Sequence, residues 1–516
     1  MAIHPVARFA DLRHDRGTQV EIGEQTFLLL RMGNQVRAYQ ASCPHAGAPL
    51  ADGAVCNGRL ICPWHKGAFS IEDGTLCEPP ALDNLLRYPA YVVDGEVRID
   101  DRPLPTSAAV VNDERCFAII GAGAAGAAGT AAAAALRAKG FGGRLLLIDR
   151  EFQPGYDRTA LSKFVIAGDM KPDKIPPLRD EAFYRQQRIE RIHGEVTRLE
   201  VSAKRLTVRV NEADEQPIEY HAALLVTGGK PHSLDVPGAD LPEVLLLRTR
   251  QDAEWILQAA PPSAQAVIIG DSFIGLEAAS ALRKRGMSVT VLARHEAPFI
   301  AQFGDRIGRA IRHLHEQNGV LFRSHVDVAR FEGTGNLETV VLNTGERLDA
   351  ELALIGIGVS PAIEWVEGVN REHDGSLRVD AGMQVAEGLW AAGDIVTFPL
   401  SGKPHRIEHW RLAQQQARVA AHNMLGAHEQ YADVPFFWTY HFGKRFDYLG
   451  HAETWDNIVF EGSPEHYNFI ALLSQNGMVA AIVACQYQRA MALFAERMKQ
   501  PLAVDEARRL IRSISQ

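Results

Sequence analysis

The sequence predicts a multidomain protein in which a small all-β domain precedes two doubly wound α/β domains and a C-terminal α+β domain. The chain has 516 residues, too many for a single hydrophobic core. Its first hundred residues read as short strand-like pieces separated by Gly, Asn and Asp. Further on, FAIIGAGAAG at 117–126 and AVIIGDSFIG at 266–275 repeat one pattern of strand, glycine-rich turn and helix. This pattern is typical of doubly wound sheets.

Charge and cysteine content narrow the partners and the compartment. The chain carries 54 Lys and Arg against 63 Asp and Glu, a net charge of −9, and it has no basic run, so nucleic acid is not expected as a partner. Six cysteines are too few for a disulfide scaffold, and four of them lie between 43 and 77. This predicts a metal site in a reducing cytoplasm. The N-terminus lacks the pattern of a secretory signal.

One stretch has the length of a membrane span. CFAIIGAGAAGAAGTAAAAAL at 116–136 carries no charge over about the length that a bilayer needs. Ala and Gly are only weakly apolar, however, and the glycine spacing has a better explanation as a nucleotide-binding turn. We therefore predict no membrane span.

Four metal-binding side chains lie in two Pro- and Gly-rich loops. Cys43 with His45, and Cys62 with His65, offer two thiolates and two imidazoles, which suit zinc or a cluster with one iron held by sulfur and one by nitrogen. A zinc finger usually takes its cysteines from one hairpin and its histidines from a following helix, whereas each loop here supplies one of each. The segments CPHAGAPL, GRLICPWHKGAF and EPPAL resemble the ferredoxin type of Rieske iron–sulfur domain.

The Rieske resemblance implies that Cys43 and Cys62 bind one iron of a [2Fe-2S] cluster and that His45 and His65 bind the other. Zinc and a purely structural role are the alternatives. High-potential Rieske proteins carry an extra disulfide-forming cysteine in each loop, and those positions are Ala48 and Trp64 here, which implies the lower-potential type. The remaining cysteines of this region, Cys56 and Cys77, are expected to be small buried thiols.

The first glycine-rich turn predicts a dinucleotide site. Gly121 permits a tight turn, Gly123 lets the backbone approach a pyrophosphate, and Gly126 lets the helix pack on the strand. An acid follows at Asp149, at the end of the strand RLLLID, where it can accept a hydrogen bond from a ribose hydroxyl. The alternative is an Ala-rich buried helix. The same predicted site includes Ala124, Ala125 and Arg150.

Five further segments resemble ferredoxin reductases and apoptosis-inducing-factor-like oxidoreductases. They are REFQPGYDRTALSKFVIAGD, LLVTGGKPH, GLWAAGDIV, RIEHWRLAQQQARVAAHNM and VPFFWTYHFGKRFDYLGHA. The resemblance implies FAD, with Arg158 along the diphosphate, Lys163 near the isoalloxazine and Asp394 against the ribityl chain. Without the resemblance, a solvated charged loop would explain Arg158 and Lys163. Aromatic core packing remains an equal alternative for His409, Trp410 and Trp438. The other positions implied at the flavin are Thr227, Gly228, Gly393, His409, Trp410 and Trp438.

The second glycine-rich turn predicts the nicotinamide nucleotide site. Ser272 replaces the second glycine of the fingerprint, so we expect a slightly looser approach to the pyrophosphate. The resemblance places Glu277 close to the nicotinamide, although a first-turn glutamate favoured by the helix dipole is an equal alternative. The rest of the predicted site comprises Gly270, Ile274, Gly275, Arg294, His295 and Gly358.

The end of the second strand of this unit predicts a preference for NADPH. Relatives that use NADH place an acid there, whereas this chain has Ala293 followed by Arg294 and His295. A guanidinium can pair a 2′-phosphate through two parallel hydrogen bonds. The order of residues resembles the NADPH site of glutathione reductase. An exposed arginine on a strand-end loop is the alternative.

The resemblance also implies how the chain divides. We expect an FAD-binding domain that is interrupted by the NAD(P)H-binding domain, and a C-terminal domain of the kind that forms interfaces in this family. The expected bounds are 1–103 for the Rieske domain, 104–115 for a linker, 116–237 and 363–430 for the FAD-binding domain, 238–362 for the NAD(P)H-binding domain, and 431–516 for the C-terminal domain.

Together these features imply an oxidoreductase that takes electrons from NAD(P)H through FAD to its own Rieske cluster and on to an external acceptor such as an oxygenase or a cytochrome. The chain has no cysteine between 117 and 484, so electrons cannot leave through the dithiol that disulfide reductases use. Lys163, Glu277 and Trp438 are the predicted catalytic residues. A slow redox-sensing flavoprotein of the apoptosis-inducing-factor type is the alternative. A nitrite-reductase-type subunit would need several cysteines downstream, where only Cys485 occurs. The acceptor is unidentified, and the sequence leaves a homodimer open.

Overall fold

The computed structural model describes residues 3–105, 111–121, 126–210 and 214–514. Within these ranges the predicted fold class is confirmed: an all-β domain, two α/β domains and an α+β domain follow one another along the chain. None of the described helices combines the length and the apolar character needed to cross a bilayer.

The N-terminal domain consists of three small sheets with the orders β1-β11-β10, β2-β3-β4-β9 and β5-β6-β7-β8, all antiparallel. Hairpins form where residues at positive φ allow tight turns, as at Asp94 and Gly95 between the last two strands. The strands are β1 Ile3–Arg8, β2 Thr18–Ile22, β3 Gln25–Met32, β4 Gln35–Gln40, β5 Ala54–Cys56, β6 Arg59–Ile61, β7 Ala68–Ser70, β8 Leu76–Glu78, β9 Arg87–Tyr88, β10 Ala90–Val93 and β11 Glu96–Asp100.

The first α/β domain is built on a six-stranded sheet with the order β14-β13-β12-β18-β32-β31, parallel except for its last pair. Its strands are continuous apolar runs because helices and a small sheet cover both faces. The elements before the second domain are β12 Cys116–Ile120, α1 Ala127–Ala138, β13 Arg144–Asp149, α2 Glu181–Gln186, β14 Ile189–His193, β15 Glu195–Glu200, β16 Arg205–Arg209, β17 Glu215–Glu219, β18 Ala222–Leu225 and β19 Gly229–Pro231, with a π-helix at Leu161–Val165.

The second α/β domain repeats this plan with five parallel strands in the order β20-β27-β21-β22-β23, and an antiparallel sheet β24-β25-β26 packs beside them. Its elements are β20 Val244–Leu246, α3 Arg250–Ala259, β21 Gln265–Ile269, α4 Phe273–Lys284, β22 Ser288–Ala293, α5 Ile300–Phe303, α6 Asp305–Gln317, β23 Val320–Ser324, β24 Val328–Glu332, β25 Thr339–Leu342, β26 Arg347–Asp349, β27 Leu352–Ile355 and β28 Val359–Pro361.

The chain then returns to the first α/β domain, so that its sheet is completed by segments from both sides of the second domain. The C-terminal domain follows as a five-stranded antiparallel sheet, β35-β36-β39-β38-β37, with two helices. The elements are β29 Val366–Glu367, β30 Leu377–Arg378, β31 Gln384–Ala386, β32 Leu389–Ala391, β33 Val396–Leu400, β34 Lys403–His405, α7 Trp410–Met424, β35 Phe436–His441, β36 Lys444–Gly450, β37 Asn457–Ser463, β38 Asn468–Gln475, β39 Met478–Cys485, α8 Gln488–Arg497 and α9 Val504–Ile514.

Buried ion pairs fix the N-terminal domain against the rest of the protein. The fully buried Lys66 donates from Nζ to Asp447 Oδ2 at 3.0 Å. Arg411 of α7 donates to Glu78 Oε2 and to the Lys66 carbonyl, both at 2.7 Å. Breaking one partner of such a buried pair typically costs about 3–5 kcal/mol, because the other charge is left uncompensated. The N-terminal domain is therefore held in one defined position.

Candidate functional site

The two loops that carry the predicted metal ligands share one backbone design. The Cys43 N–H donates to the Ala48 carbonyl, and the Cys62 N–H donates to the Gly67 carbonyl, both at 2.8 Å. In each loop a second bond runs back to the cysteine carbonyl, from Gly47 and from Lys66. Each loop is thus a tight turn that presents a cysteine and a histidine on the same side.

The four predicted ligands converge where the two loops meet. The Nδ1 atoms of His45 and His65 lie 3.0 Å apart, and the Cys43 and Cys62 thiols are hydrogen-bonded to each other. Both cysteines are buried. Two sulfur donors on one side and two nitrogen donors on the other fit a cluster with differently ligated irons. The same four donors would also fit zinc.

The electrostatics of three of these four side chains favour their ligand forms, whereas the thiolate of Cys43 is disfavoured until a cation is bound. Burial lowers the pKa of His45 and of His65, so both imidazoles are neutral near pH 7 and can donate a lone pair to a metal. The hydrogen bond from Cys43 lowers the pKa of Cys62 to about 7, while the same contact and burial raise the pKa of Cys43.

Cys56 and Cys77 lie away from this convergence, on β5 and β8. They are only partly buried, which corrects the expectation of buried thiols. The reason is their position at an edge of the domain, where both pack against the core of the C-terminal domain.

Cys56→Ser and Cys77→Ser are expected to leave two irons and two acid-labile sulfides per chain, because neither thiol reaches the ligand set. A hydroxyl left without a partner at these sites would cost roughly 1–3 kcal/mol of stability. Iron and sulfide analysis checks the expectation, and loss of iron from either variant would reassign the ligands.

The first glycine-rich turn shows why a side chain is excluded at its start. Gly121 has φ +108°, and a Cβ there would lie 2.5 Å from the Val226 carbonyl oxygen. Gly126 is the N-cap of α1. Asp149 ends β13 and lines a groove with Gly121 and Arg150. Three other predicted members of this site, Gly123, Ala124 and Ala125, fall outside the described residues.

Two arginines contact the carboxylate of Asp394, which directly follows Gly393 in the chain. Arg248 Nη2 lies 3.2 Å and Arg158 Nη2 4.0 Å from Asp394 Oδ2. Burial opposes ionisation of Asp394, but the two guanidinium groups hold its pKa below the ordinary value. Burial and the Arg248 charge lower the pKa of Arg158 to about 10, so it stays charged near pH 7. Arg158 Nη1 is buried without a partner among the described residues, which leaves one donor for an anionic ligand.

Two further glycines keep this site open. A Cβ on Gly228, at φ +68°, would meet Arg248 Nη2 at 2.7 Å, and one on Gly393, at φ +82°, would meet the Ala413 side chain at 3.0 Å. The Gly393 N–H donates to Gln416 at 2.8 Å. Thr227 donates from Oγ1 to the Ala362 carbonyl at 2.8 Å, so its hydroxyl proton already has a backbone acceptor.

A cavity where the two α/β domains and the C-terminal domain meet brings together most of the residues predicted at the flavin ring. His409 lies there with its ring centroid 4.3 Å from that of Phe437. Burial lowers the pKa of His409 to about 4, so its imidazole is neutral near pH 7. Trp410 Nε1 is buried without a partner among the described residues. The cavity is also lined by Arg158, Lys163, Ile274, Glu277 and Trp438.

A buried hydrogen-bond network centres on Glu277 in this cavity. Lys163 Nζ lies 2.9 Å and Ser162 Oγ 2.5 Å from Glu277 Oε2. Thr439 donates to Oε1 at 2.8 Å. The helix-dipole explanation of Glu277 as an exposed first-turn acid is wrong, because the side chain is buried and binds groups from the π-helix and from β35.

Two histidines that the sequence analysis missed extend this network. Thr439 Oγ1 lies 2.9 Å from His441 Nε2, and the His441 and His315 ring centroids are 5.1 Å apart. Both rings are fully buried, and His441 Nδ1 and both nitrogens of His315 lack partners among the described residues. No local spacing could reveal the pair, because α6 and β35 are 126 residues apart along the chain at these positions.

Trp438 lies between the four predicted metal ligands and the Glu277 network. Its ring centroid is 4.5 Å from that of His65. Lys163 Nζ lies 5.3 Å from the same ring, and so does the Arg445 guanidinium carbon. The Trp410 ring is 5.7 Å from that of His45. Each histidine thus faces an indole that also lines the cavity.

The second glycine-rich turn differs from the first in one useful way. Ser272 is the N-cap of α4, and its hydroxyl accepts from the Gly275 N–H at 3.2 Å. Gly270 has φ +104°, with its missing Cβ 2.5 Å from the Gly356 carbonyl oxygen. A Cβ on Gly275 would lie 2.4 Å from the Gly270 carbonyl oxygen. The serine therefore uses one of the helix N–H groups that a pyrophosphate would otherwise bind.

Arg294 and His295 lie at the mouth of this turn, in one pocket with Gly270, Ser272 and Gly358. Both side chains are exposed, and Arg294 forms no salt bridge among the described residues. The next acid, Glu296, is occupied by Arg312 at 3.5 Å and by His325 at 3.1 Å. Asp271 also lines this pocket, and the charges of His295 and Arg294 act on its carboxyl. Arg294 is thus an exposed guanidinium without a salt bridge among the described residues, beside one partly buried acid.

Comparisons with known proteins match both parts of this arrangement. Residues 116–417 match the pyridine nucleotide-disulphide oxidoreductase family, and residues 2–89 match the Rieske [2Fe-2S] domain. Apoptosis-inducing factor 3 of Mus musculus is 32% identical over 521 residues, 97% of this chain and 84% of that protein. The benzene 1,2-dioxygenase system ferredoxin–NAD(+) reductase subunit of Pseudomonas putida is 34% identical over 396 residues, 76% of this chain and 94% of that protein.

Two solved structures share the fold. The ferredoxin reductase for the CYP199A2 system from Rhodopseudomonas palustris has a TM-score of 0.70 at 28% identity and covers 76% of this chain and 97% of that chain. The covalent putidaredoxin reductase–putidaredoxin complex has a TM-score of 0.71 at 25% identity and covers 78% of this chain and 99% of that chain.

Proposed function

Since the chain belongs to the pyridine nucleotide-disulphide oxidoreductase family and carries a Rieske [2Fe-2S] domain, we propose that it passes electrons from NAD(P)H through FAD to its own cluster and on to an external acceptor. Family membership makes it a flavin-dependent NAD(P)H oxidoreductase with FAD and a [2Fe-2S] cluster as cofactors. The order of transfer and the acceptor are the new parts of this proposal.

One observation carries the proposed order. Trp438 packs on His65, a proposed ligand of the cluster, and on Lys163, a proposed neighbour of the flavin ring. The ion pairs of Lys66 and Arg411 hold the N-terminal domain in this position. A fixed and close approach of the two redox sites is what internal electron transfer requires.

The residues divide the work of holding the cofactors. When bound, FAD takes an electron pair from reduced nicotinamide, whereas the two-iron cluster carries single electrons. We assign the irons to Cys43 and Cys62 and to His45 and His65. Asp149 would accept from a ribose hydroxyl, as acids in this position of a nucleotide fold do.

The Glu277 network holds a buried carboxylate in place beside the proposed nicotinamide site. Glu277 Oε1 accepts from Thr439 Oγ1, and that hydroxyl also contacts His441 Nε2. Because the single Thr439 hydroxyl proton is donated to Glu277, His441 Nε2 donates to the hydroxyl oxygen. Burial lowers the pKa of His441 to about 3, so its imidazole is neutral and this chain of donors fixes Glu277 as an acceptor.

Anaerobic mixing with NAD(P)H in a stopped-flow spectrometer tests the order. We expect the flavin absorbance to bleach before the cluster signal changes, because no dithiol is available as another route. Simultaneous bleaching of both chromophores, or a cluster that is never reduced, would contradict the proposed order.

A slow redox-sensing role is the second candidate. The similarity to apoptosis-inducing factor 3 spans both the N-terminal domain and the reductase part, whereas the similarity to the dioxygenase reductase subunit spans 76% of the chain. Steady reduction of a one-electron acceptor supports the first role, and a long-lived reduced flavin–nicotinamide complex with slow turnover supports the second.

The proposal for the electron acceptor rests on the systems to which the relatives belong. Several are reductase components of dioxygenase systems, so we propose an oxygenase or a cytochrome as the partner. A cytoplasmic location and a homodimer remain predictions. The C-terminal domain, which was predicted to form interfaces, already packs against the N-terminal domain of its own chain, and light scattering of the purified protein tests for the dimer.

A further inference from the structure

A second cluster of metal-binding side chains lies outside the redox site. His405 ends β34, His451 directly follows β36, and Glu453 comes two residues later. His405 Nδ1 lies 3.1 Å from Glu453 Oε1, and the two imidazole rings are 4.9 Å apart at an angle of 74°. One ligand atom from each side chain lies within 4.8 Å of the other two.

From this cluster we propose a binding site for one Zn²⁺ ion that joins β34 of the first α/β domain to the C-terminal domain. Two imidazoles and one carboxylate are a set of three zinc ligands, with solvent as the fourth. Nitrogen donors favour zinc over Mg²⁺ and Ca²⁺, which prefer oxygen alone. The proposal is independent of the redox function.

The loop that supplies two of the ligands is fixed by its backbone. The Gly450 N–H donates to the Pro435 carbonyl at 2.8 Å, and the Ala452 N–H donates to the Tyr448 hydroxyl at 3.1 Å. Gly450 adopts φ +87°, and a Cβ there would lie 2.5 Å from the Ala480 carbonyl oxygen. Ala452 is buried between the two ligands, so His451 and Glu453 are positioned together by one anchored residue.

The cluster is accessible to a hydrated ion. Neither ring nitrogen of His451 has a hydrogen-bond partner among the described residues. The His405 side chain is 10% exposed, whereas that of Glu453 is 64% exposed, which leaves one side of the cluster open to a hydrated ion.

Only a small adjustment separates the present geometry from a zinc site. Ligand atoms around a tetrahedral zinc with bonds of about 2.0–2.1 Å lie roughly 3.3 Å apart. The His405–Glu453 separation of 3.1 Å is already close to this value. The ligand atom of His451 lies within 4.8 Å of the other two, so zinc binding requires it to move closer. The cluster lines a cavity shared with Lys499, but Glu78 and Asp433 pair with that lysine, so it does not repel a cation as a free charge would.

Titration of the untagged, flavin- and cluster-loaded protein with ZnCl₂ in a calorimeter tests the site. We expect one Zn²⁺ per chain, at least about 100-fold weaker binding in His405→Ala/His451→Ala, and weaker binding in Glu453→Gln. The exposed pair His373→Ala/His428→Ala removes two histidines elsewhere and is expected to bind as the parent does.

Three results would overturn the proposal. They are the absence of stoichiometric binding, unchanged binding in His405→Ala/His451→Ala, and equal binding of Mg²⁺. Iron and sulfide are measured after each titration. If zinc releases iron and the His405→Ala/His451→Ala protein behaves the same way, the ion is binding at the cluster ligands and the proposed site does not exist.

Discussion

Replacement of His65 by alanine is expected to remove the [2Fe-2S] cluster and to lower reduction of one-electron protein acceptors such as cytochrome c by at least about 100-fold. Loss of groups that only support a ligand already costs 10–100-fold in metal affinity, and loss of the ligand itself costs at least as much. His65 Nδ1 faces His45 Nδ1 at 3.0 Å in a partly buried position, and no other described histidine lies beside this pair to replace it. FAD is expected to stay bound, because its proposed ligands lie in another domain.

The measurements are iron, acid-labile sulfide and flavin content, the electron paramagnetic resonance of the reduced protein, and the rates with cytochrome c and with ferricyanide. His14→Ala removes an exposed histidine of the same domain and is expected to behave as the parent. Ferricyanide can take electrons directly from a flavin, so that activity is expected to survive in His65→Ala. Two retained irons, or stoichiometric zinc in the parent, would refute the ligand assignment, and full cytochrome c reduction without the cluster would refute the electron route.

The convergence of the four candidate metal ligands and the form of the glycine-rich turns could be predicted because they are encoded locally. Cys-x-His and Cys-x-x-His place both donors of a loop on one tight turn, and a glycine at positive φ leaves a signature at a fixed spacing after a strand. The structure shows both features. Cys43 and Cys62 make matching backbone hydrogen bonds within their loops, and a Cβ at Gly121 would collide with the neighbouring backbone.

Contacts between domains could not be predicted from one sequence. Lys66 and Asp447 are 381 residues apart, and Glu78 and Arg411 are 333 apart, so no periodicity relates them. From the sequence alone, each of these four side chains looks like an ordinary charged surface residue. The docking of the N-terminal domain, and with it the contact of His65 with Trp438, therefore emerges only at the tertiary level.

The same limit explains two details of the cofactor sites. Arg248 pairs with Asp394 across 146 residues, and nothing in its own neighbourhood marks it as a site residue. Ser272 was predicted to loosen the pyrophosphate turn. The structure adds that its hydroxyl caps α4, a favoured role for serine at a helix start, so this position has a structural reason to be a serine.

The second large effect concerns the nicotinamide. We expect the protein to prefer NADPH over NADH, and Arg294→Ala to lower kcat/KM for NADPH roughly 10- to 100-fold, since a hydrogen bond to a charged group contributes about 1.5–3 kcal/mol. Ala293 leaves no carboxylate at the end of β22, and Glu296 is held by Arg312 and His325. Asp271, the acid that lines the same pocket, lies within the influence of the Arg294 and His295 charges. The value for NADH is expected to change little, because that cofactor carries a hydroxyl where NADPH carries the phosphate.

Arg309→Ala is the matched control, because it removes an exposed arginine of the same domain that pairs with Asp305 and lines no part of the nucleotide pocket. Calorimetric binding of 2′,5′-ADP separates recognition of the phosphate from the rate of reduction, and Arg294→Ala is expected to weaken it by a similar factor. Equal kcat/KM for the two nucleotides in the parent, or an equal loss for both in Arg294→Ala, would mean that the guanidinium does not read the 2′-phosphate. Arg294 would then be an ordinary solvated surface residue. Any selectivity between the two nucleotides would have to come from the glycine-rich turn itself, where the Ser272 hydroxyl already accepts from the Gly275 N–H.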